Sequence, residues 1–292
     1  MHRLIRWTLA AGAGVVLFAA AGAAAVYLLT QSHRERIYDI RPDPVAIPDG
    51  AEALARGEHV ATIRGCRECH GADLGGRVFI DDPMVGRIIA PNLTRGAGGI
   101  RDFAVADLLR AIRHGVGPDG RSLLFMPSFE FWYLGDEDVG ALIAWIRSLP
   151  PVDNDLGESS LALPIRAIYL FTEEMDLFAA ELIDHTARRP PAPAPEVSVA
   201  YGRYLAWSCV GCHGRTLEGG PIPGRPPDWP PASDLTSKGP LAAWSEEQFV
   251  ATIRSGTTPD GRALNSAYMP WHVFANMTDA ELAALWRYLR TL

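Results

Sequence analysis

The sequence predicts an all-α protein in which two tandem helical domains follow a single N-terminal transmembrane helix. Three observations carry this prediction. Residues 8–29 form a long uncharged run, the rest of the chain repeats itself at an offset near 143 residues, and segments of each repeat place apolar residues at helical spacing.

The overall composition is that of a folded, mainly water-exposed chain. The protein has 292 residues, of which 48% are hydrophobic and 21% are charged, and its mean hydropathy is +0.03. These values exclude a disordered polyanion and a membrane protein with many spans. The formal charge of −7 argues against a nucleic-acid partner, because binding phosphates requires a basic surface.

Residues 1–36 are predicted to be a membrane anchor, followed by a linker over residues 37–50. Basic residues flank the uncharged run 8–29, whose 22 residues would extend about 33 Å as a helix and match a hydrocarbon core of roughly 30 Å. A cleaved signal peptide is the alternative, since Ala23 and Ala25 could form a cleavage site, although its apolar region is usually only about 7–15 residues. Either segment exports the chain, and an uncleaved anchor contacts membrane lipid.

All four cysteines lie in two Cys-x-x-Cys-His motifs, Cys66-Arg67-Glu68-Cys69-His70 and Cys209-Val210-Gly211-Cys212-His213. Two thiols about one helical turn apart can add to the two vinyl groups of haem, and the following histidine can reach the iron. The motifs therefore predict two covalently bound haem c groups. The predicted attachment residues are Cys66, Cys69, Cys209 and Cys212, and the predicted iron ligands from these motifs are His70 and His213.

Other uses of paired cysteines explain these motifs less well. A thioredoxin-like redox pair does not require a histidine after the second cysteine. A zinc site needs four ligands at another spacing. A structural disulfide is the remaining alternative for an exported chain, and it leaves both histidines unexplained.

The two motifs belong to a tandem duplication. Cys66 and Cys209 are 143 residues apart, and matching segments precede and follow them. The matched segments are 56–61 with 201–206, 92–94 with 234–236, 118–121 with 259–262, and 136–149 with 279–292. The duplication predicts two domains, residues 51–150 and 198–292.

Residues 151–197 are predicted to connect the two domains. This segment contains nine acidic residues and three arginines, and four prolines between residues 190 and 195 favour a semi-rigid spacer. Within it, residues 173–184 show the pattern of an amphipathic helix. We expect that helix to pack the two domains together in preference to binding a partner.

The duplication also selects a second iron ligand in each domain. Met126 and Met269 correspond to each other, each lies 56 residues after the motif histidine, and each precedes a proline that favours an extended loop. The rival candidates His114 and His272 have no histidine opposite them in the other repeat. We therefore expect histidine–methionine ligation of both irons.

Helices are predicted before, within and at the end of each repeat, over residues 51–64, 103–114 and 136–149 and over residues 199–208, 245–255 and 278–292. Asp136 and Thr278 are expected to cap the terminal helices. Gly57 and Gly202 are expected to allow those terminal helices to approach the first helices closely.

Each repeat resembles a class I cytochrome c domain, with its Cys-x-x-Cys-His motif near the start and its Met-Pro loop late. Three further strings resemble the cytochrome c subunits that accept electrons from membrane-bound alcohol and sugar-acid dehydrogenases, although those subunits usually carry three haems. The strings are Ala90-Pro91-Asn92-Leu93-Thr94, Gly117-Pro118-Asp119-Gly120-Arg121 and Asp136-Glu137-Asp138.

This resemblance implies an electron carrier of a respiratory chain, with its haem domains in the periplasm at the outer face of the bacterial inner membrane. Its partners would be a redox protein donor and acceptor, with no small-molecule substrate at the irons and no catalytic residue. One alternative is a dihaem cytochrome c peroxidase, which needs an iron free of its sixth ligand, and another is the electron-accepting subunit of a membrane dehydrogenase complex. A thiosulfate-oxidising enzyme would need a further cysteine, and a haem-based sensor would need a signalling domain.

Overall fold

The computed structural model describes residues 2–172, 175–225 and 228–292, and most of its regular structure is helical. The helices, in chain order, are α1 (His2–Arg34), α2 (Ala51–Ile63), α3 (Cys66–His70), α4 (Val105–Leu109), α5 (Ser128–Phe131), α6 (Asp136–Ser148), α7 (Leu163–Phe171), α8 (Val199–Leu205), α9 (Val210–His213), α10 (Glu246–Ser255), α11 (Trp271–Phe274) and α12 (Asp279–Leu289). A π-helical segment, Arg110–His114, continues α4, and short 3₁₀ turns occupy Ala179–Leu182, Ala206–Ser208 and Pro240–Ala243.

The duplication seen in the sequence is present in the order of these elements. Helices α2, α3, α5 and α6 of the first repeat correspond to α8, α9, α11 and α12 of the second, and α4 with its π-helical continuation corresponds to α10. One cluster of buried apolar residues runs through both repeats, with Val60 and Leu142 on one side and Leu205 and Leu285 on the other. The two repeats therefore share a core.

The first and last helices of each repeat pack closely, as the glycines predict. A Cβ added to Gly57 in α2 would lie 2.7 Å from the Ala141 carbonyl carbon in α6, far inside an ordinary contact. A Cβ added to Gly202 in α8 would lie 2.6 Å from the Ala284 carbonyl carbon in α12. Because only glycine lacks this atom, both helix pairs depend on glycine for their backbone approach.

One of the two predicted helix caps is confirmed and the other is wrong. The Thr278 hydroxyl accepts from the Glu281 backbone N–H while the Glu281 carboxylate accepts from the Thr278 N–H at 2.7 Å, which forms a capping box. Asp136 instead occupies the first turn of α6, and Gly135 is the N-cap residue without a side-chain bond. Asp136 is held there by the Arg113 guanidinium at 2.7 Å.

A small β-sheet departs from the all-α prediction. Strands β1 (Arg77–Asp82) and β2 (Gly86–Ala90) form an antiparallel hairpin, and β3 (Ser160–Leu161), from the connector, pairs with β2. β-Branched residues recur along both hairpin strands, and they favour this pleated, half-buried arrangement. In the described part of the second repeat, the corresponding region has a single bridge between Gly220 and Ala232.

The connector does not form the helix expected over residues 173–184. Residues 175–178 contain no helix, Ala179–Leu182 is a 3₁₀ turn, and Glu173 and Glu174 lie outside the described residues. The backbone of Phe178 pairs instead with Leu124 in an isolated β-bridge. Phe178 could not form this bridge if the segment were helical.

Part of the connector packs on the first repeat, and its far end meets the second, where the Val197 carbonyl accepts from Arg287 at 3.0 Å. Its residues Ile165, Leu177 and Phe178 are buried in a second, smaller core cluster with Ile88 of the hairpin. The expectation that this segment packs the two domains together stays a prediction, since the Arg215 charge of the second repeat also acts on Asp176 of this segment. The contacts between the repeats come from the haem-motif regions described below.

Candidate haem-binding sites

The attachment motifs form short helices at equivalent places in the two repeats. α3 contains the first motif from Cys66 to His70, and α9 begins just after Cys209. None of the four cysteines is paired in a disulfide in the structure. Burial raises the pKa of the Cys66 and Cys209 thiols to about 12.

Each motif histidine is oriented by a backbone carbonyl. Nδ1 of His70 lies 2.8 Å from the Pro91 oxygen, and Nδ1 of His213 lies 2.7 Å from the Ser233 oxygen. Because a carbonyl only accepts, Nδ1 carries the proton and donates, which leaves the Nε2 lone pair for a metal ion. Burial lowers the pKa of both imidazoles, so both rings are neutral at pH 7.

These carbonyl partners were not identified from the sequence. A backbone acceptor has no residue-type signature, since any residue could occupy its place. The duplication contains an indirect signal, because Pro91 and Ser233 immediately precede the matched segments 92–94 and 234–236. A metal-bound histidine needs a hydrogen-bond partner on its other ring nitrogen to fix the orientation of the ring, and a backbone carbonyl takes this place in both repeats.

The loops beyond the histidines share an unusual backbone conformation. Leu74 and Leu217 have φ values of 58° and 60°, in the left-handed region that side chains rarely adopt, and both are buried. The Leu74 carbonyl accepts from Leu93 N–H at 2.8 Å, and the Leu217 carbonyl accepts from Leu235 N–H at 2.9 Å. The two loops therefore hold in the same way the segments that contain the Pro91 and Ser233 carbonyls.

Met126 and Met269 also occupy equivalent loops. Each methionine is followed by a proline with φ near −75°. The methionine carbonyl accepts from the backbone N–H two residues later, from Ser128 at 2.8 Å and from Trp271 at 2.7 Å. Both methionines are partly buried at the edge of the core cluster that Cys66 and Cys209 also border. The short helices α5 and α11 begin directly after these loops.

The rival histidine ligands have partners elsewhere. Nδ1 of His114 lies 3.1 Å from Nδ1 of His185 in the connector. Burial, and then the His185 charge, lower the pKa of His114 to about 4. Nε2 of His272 lies 3.2 Å from a carboxylate oxygen of Glu68. Both rings are therefore used in protein contacts.

The repeats contact each other reciprocally through their attachment helices. The side chains of Phe129 and Glu130 in α5 lie against the backbone of Gly211 in α9. In return, His272 of α11 pairs with Glu68 of α3. Glu68 and Gly211 are 143 residues apart, as are Phe129 and His272, so the contact has approximate two-fold symmetry. The helix after each methionine thus covers the attachment helix of the other repeat.

Further polar and aromatic contacts fix this arrangement. Tyr133 stacks on Trp207 with ring centroids 3.4 Å apart and planes inclined by 13°. Nε2 of His59 in α2 lies 2.9 Å from Glu281 in α12, and Arg64 donates to the Ser208 hydroxyl. The interface residues were not singled out from the sequence, because contacts between repeats have no fixed spacing.

One carboxyl at this contact is electrostatically unusual. Burial raises the pKa of Glu130 to about 8, although the nearby Arg64 charge favours the ionised form. Its position against Gly211 places it beside the second attachment motif. The symmetric position in the second repeat is Val273, so the two sites have different electrostatic surroundings.

The residues in both repeats fit a covalently bound haem: paired free thiols, a neutral histidine with an oriented ring and a methionine loop, all bordering an apolar core. Residues 199–292 match the family described as cytochrome c, and residues 52–146 match cytochrome C oxidase, cbb3-type, subunit III. The chain contains two domains of cytochrome c type, one in each repeat. It therefore binds haem c covalently and transfers electrons.

Curated relatives of this cytochrome are similar over most of its length. It is 28% identical over 266 residues to the gluconate 2-dehydrogenase cytochrome c subunit of Pantoea cypripedii, covering 82% of this chain and 59% of the relative. It is 28% identical over 275 residues to the alcohol dehydrogenase (quinone) cytochrome c subunit of Gluconacetobacter polyoxogenes, covering 84% and 57%. It is 28% identical over 291 residues to a dihaem c-type cytochrome of Cereibacter sphaeroides, covering 88% of each chain.

The cytochrome spans a little over half the length of the dehydrogenase subunits it matches. These relatives are described as cytochrome subunits, not as catalytic subunits. The two cytochrome c domains indicate an electron carrier.

Proposed function

We propose that the cytochrome carries two haem c groups, one in each of two cytochrome c domains over residues 51–150 and 198–292. The proposed thioether positions are Cys66, Cys69, Cys209 and Cys212, and the proposed iron ligands are His70 and Met126 in the first domain and His213 and Met269 in the second. The observation that carries this proposal is the carbonyl bond to Nδ1 of each motif histidine, found at equivalent places in both repeats. The matched methionine loops support the remaining ligand.

The protein residues hold a redox centre and close it to substrates. When bound, haem iron supplies a one-electron ferric–ferrous couple. The Pro91 and Ser233 carbonyls fix the imidazole rings, and the Met126 and Met269 thioethers would supply a second ligand to each iron. An iron held by two side chains in this way would have no site for peroxide. This ligand set therefore favours a carrier over a peroxidase.

The proposed location is the bacterial inner membrane, with both haem domains in the periplasm. Helix α1 contains the segment Ile5–Arg34, which is long and apolar enough to cross a membrane, and a signal sequence would pass the same test. Attachment of c-type haem outside the cytoplasm agrees with either form. An uncleaved anchor would hold the protein against membrane lipid through this helix.

The proposed partners are redox proteins, with an electron donor and an electron acceptor at the same membrane face. The named relatives are cytochrome subunits of dehydrogenases, which favours a role as the electron-accepting subunit of a dehydrogenase complex. The dihaem relative, which matches over nearly the full length of both chains, favours two haems in place of three.

Haem stoichiometry tests the proposal. The chain, expressed in a bacterium with haem-maturation machinery, should retain two haems per chain after denaturation, measured by pyridine haemochrome absorbance. Cys66→Ala and Cys212→Ala should each weaken the covalent attachment of one haem. Thr216→Ser, at an exposed position, is a matched control that should keep both haems attached. Haem that extracts fully into acidified acetone would show that the attachment sites are misassigned.

Location has a separate test. The full chain should remain in washed membranes at high salt and be released only by detergent, while protease added to the periplasmic side should digest the haem domains. A mature N-terminus near Ala25 would show a cleaved leader and remove the anchor from the proposal.

A further inference from the structure

Helix α7 exposes apolar side chains where a water-facing helix would have polar ones. Leu163, Ile168 and Phe171 are 42%, 38% and 78% exposed. The only charged residue of this nine-residue helix is Arg166, and it is 3% exposed. Surface helices of soluble proteins usually show the opposite arrangement, with charged residues outward and apolar residues inward.

A neighbouring turn extends this apolar surface. The Ile165 N–H donates to the Met84 carbonyl at 3.0 Å, which brings the turn of the β1–β2 hairpin beside the start of α7. The Met84 side chain is 55% exposed. We call Met84, Leu163, Ile168 and Phe171 the α7 patch. Exposed apolar side chains grouped in this way usually mark a surface that a membrane or another protein covers.

The α7 patch is fixed to the end of the apolar helix α1. Arg166 donates to the Thr30 hydroxyl at 3.0 Å, and its guanidinium lies over the Tyr27 ring, 4.5 Å from the centroid. Thr30 is fully buried by this contact. Because a buried guanidinium needs these partners, α7 is held at the level of residues 27–31 of α1.

A second set of contacts determines which side of α7 faces outward. The Tyr169 hydroxyl lies 2.9 Å from Nδ1 of His33, and that nitrogen lies 2.7 Å from a carboxylate oxygen of Glu181. Ile165 on the same side is buried in the smaller core. The polar and buried side of α7 therefore faces the protein, and the patch faces away from it.

The level of α7 coincides with the membrane boundary that the proposed anchor implies. The uncharged run ends at Leu29, and Tyr27 is two residues, or about 3 Å, further into the run. Since the run is about as long as the hydrocarbon core is thick, this end lies near one face of the core. Amphipathic helices bind at that depth, between headgroups and acyl chains.

We propose that α7 is an interfacial helix whose patch rests in the lipid surface beside α1. This second contact would hold the haem repeats in one orientation on the membrane, in addition to the tether that α1 provides. Continuity of the patch with the end of the apolar helix is what selects lipid as the occupant. The inference rests on the proposed membrane anchor.

Photolabelling from the lipid tests this contact. The full, haem-loaded chain would be reconstituted in vesicles of phosphatidylethanolamine and phosphatidylglycerol that contain a phospholipid with a diazirine near the glycerol end of one acyl chain. Mass spectrometry should find labels in residues 163–171 and at Met84 as well as in α1. Val199 and Tyr268, which are exposed apolar residues of the second repeat, serve as internal controls and should stay unlabelled.

A charge substitution supplies the matched comparison. Phe171→Asp should reduce labelling of α7 by roughly tenfold, because burying one phenyl ring is worth about a factor of ten or more in partitioning. Labelling of α1 and the haem spectrum should not change, since Phe171 is exposed. Val199→Asp should leave the whole labelling pattern unchanged.

The outcomes separate this inference from the proposed anchor. Labels in α1 without labels in α7 would overturn the interfacial helix and leave the anchor in place. Absence of labels from both helices would overturn the anchor itself. Protein-directed cross-linking of α7 in native membranes, with no labelling from lipid, would assign the patch to a protein partner and also overturn the inference.

Discussion

Replacing Gly57 by alanine would force apart the two helices that frame the first haem site. A Cβ at this position would lie 2.7 Å from the Ala141 carbonyl carbon and from the Trp145 Cβ, whereas ordinary contacts begin at 3.4 Å. Helices α2 and α6 would have to separate by at least 0.7 Å, the difference between those distances, and by more to clear the Ala141 carbonyl oxygen, which lies nearer still. The obstructing atoms belong to the backbone or lie next to it, so they cannot rotate away.

The expected cost follows from two opposing terms. Overpacking a rigid contact costs about 1–3 kcal/mol, and we take the upper end because backbone atoms obstruct the methyl group. Alanine recovers about 1 kcal/mol relative to glycine through its helix propensity. Gly57→Ala should therefore lower the free energy of unfolding by about 2 kcal/mol, and Tm should fall by roughly 4–8 °C, since the two repeats share a core and unfold as a unit of that size.

Thermal unfolding of the full, haem-loaded chain in detergent, followed by circular dichroism, measures this change. Gly202→Ala should lower Tm similarly in the second repeat, because its Cβ would lie 2.6 Å from the Ala284 carbonyl carbon. Gly22→Ala in α1 is the matched control, since nothing lies within 4 Å of its Cβ. Equal Tm values for Gly57→Ala and Gly22→Ala would refute the reasoning.

Three further predictions concern stability, measured as Tm. The Glu281 hydrogen bond raises the pKa of His59, so the stability from this ion pair is complete below pH 6.5 and is lost as the pH rises through the raised pKa. Glu281→Gln should flatten the fall of Tm with pH in that range, and an unchanged dependence of Tm on pH would contradict the prediction. Thr278→Ala should cost about 1 kcal/mol through the lost N-cap, and a neutral result would contradict the capping box. Arg113→Met should destabilise more than Arg254→Met, because their side chains are 1% and 34% exposed, and the reverse order would refute this.

Sequence reasoning was most successful where chemistry or duplication constrains residue type. The cytochrome c domains were predictable because haem attachment requires cysteine and histidine at fixed spacing, whereas the roles of the individual cysteines and histidines remain predictions. The close helix pairs at Gly57 and Gly202 were predictable because a second copy shows the same residue at the same place. The roles of Met126 and Met269 as iron ligands remain predictions.

The misses come from interactions that leave no local pattern. The connector has helical periodicity, but pairing of Phe178 with Leu124 satisfies its backbone in an extended form. The β1–β2 hairpin is short and lies in a repeat whose other elements are helical. The Pro91 and Ser233 acceptors are backbone atoms, so their identity depends on the fold and not on residue type.

Carbon monoxide binding by the methionine variants tests the central claim, two haems each held by histidine and methionine. The unmutated protein should be low-spin in both oxidation states and bind carbon monoxide poorly. Met126→Ala should open half of the haems to carbon monoxide, Met269→Ala the other half, and Met84→Ala, at an exposed methionine, neither. A high-spin haem with peroxide turnover in the unmutated protein, or unchanged ligation in either loop variant, would contradict the account.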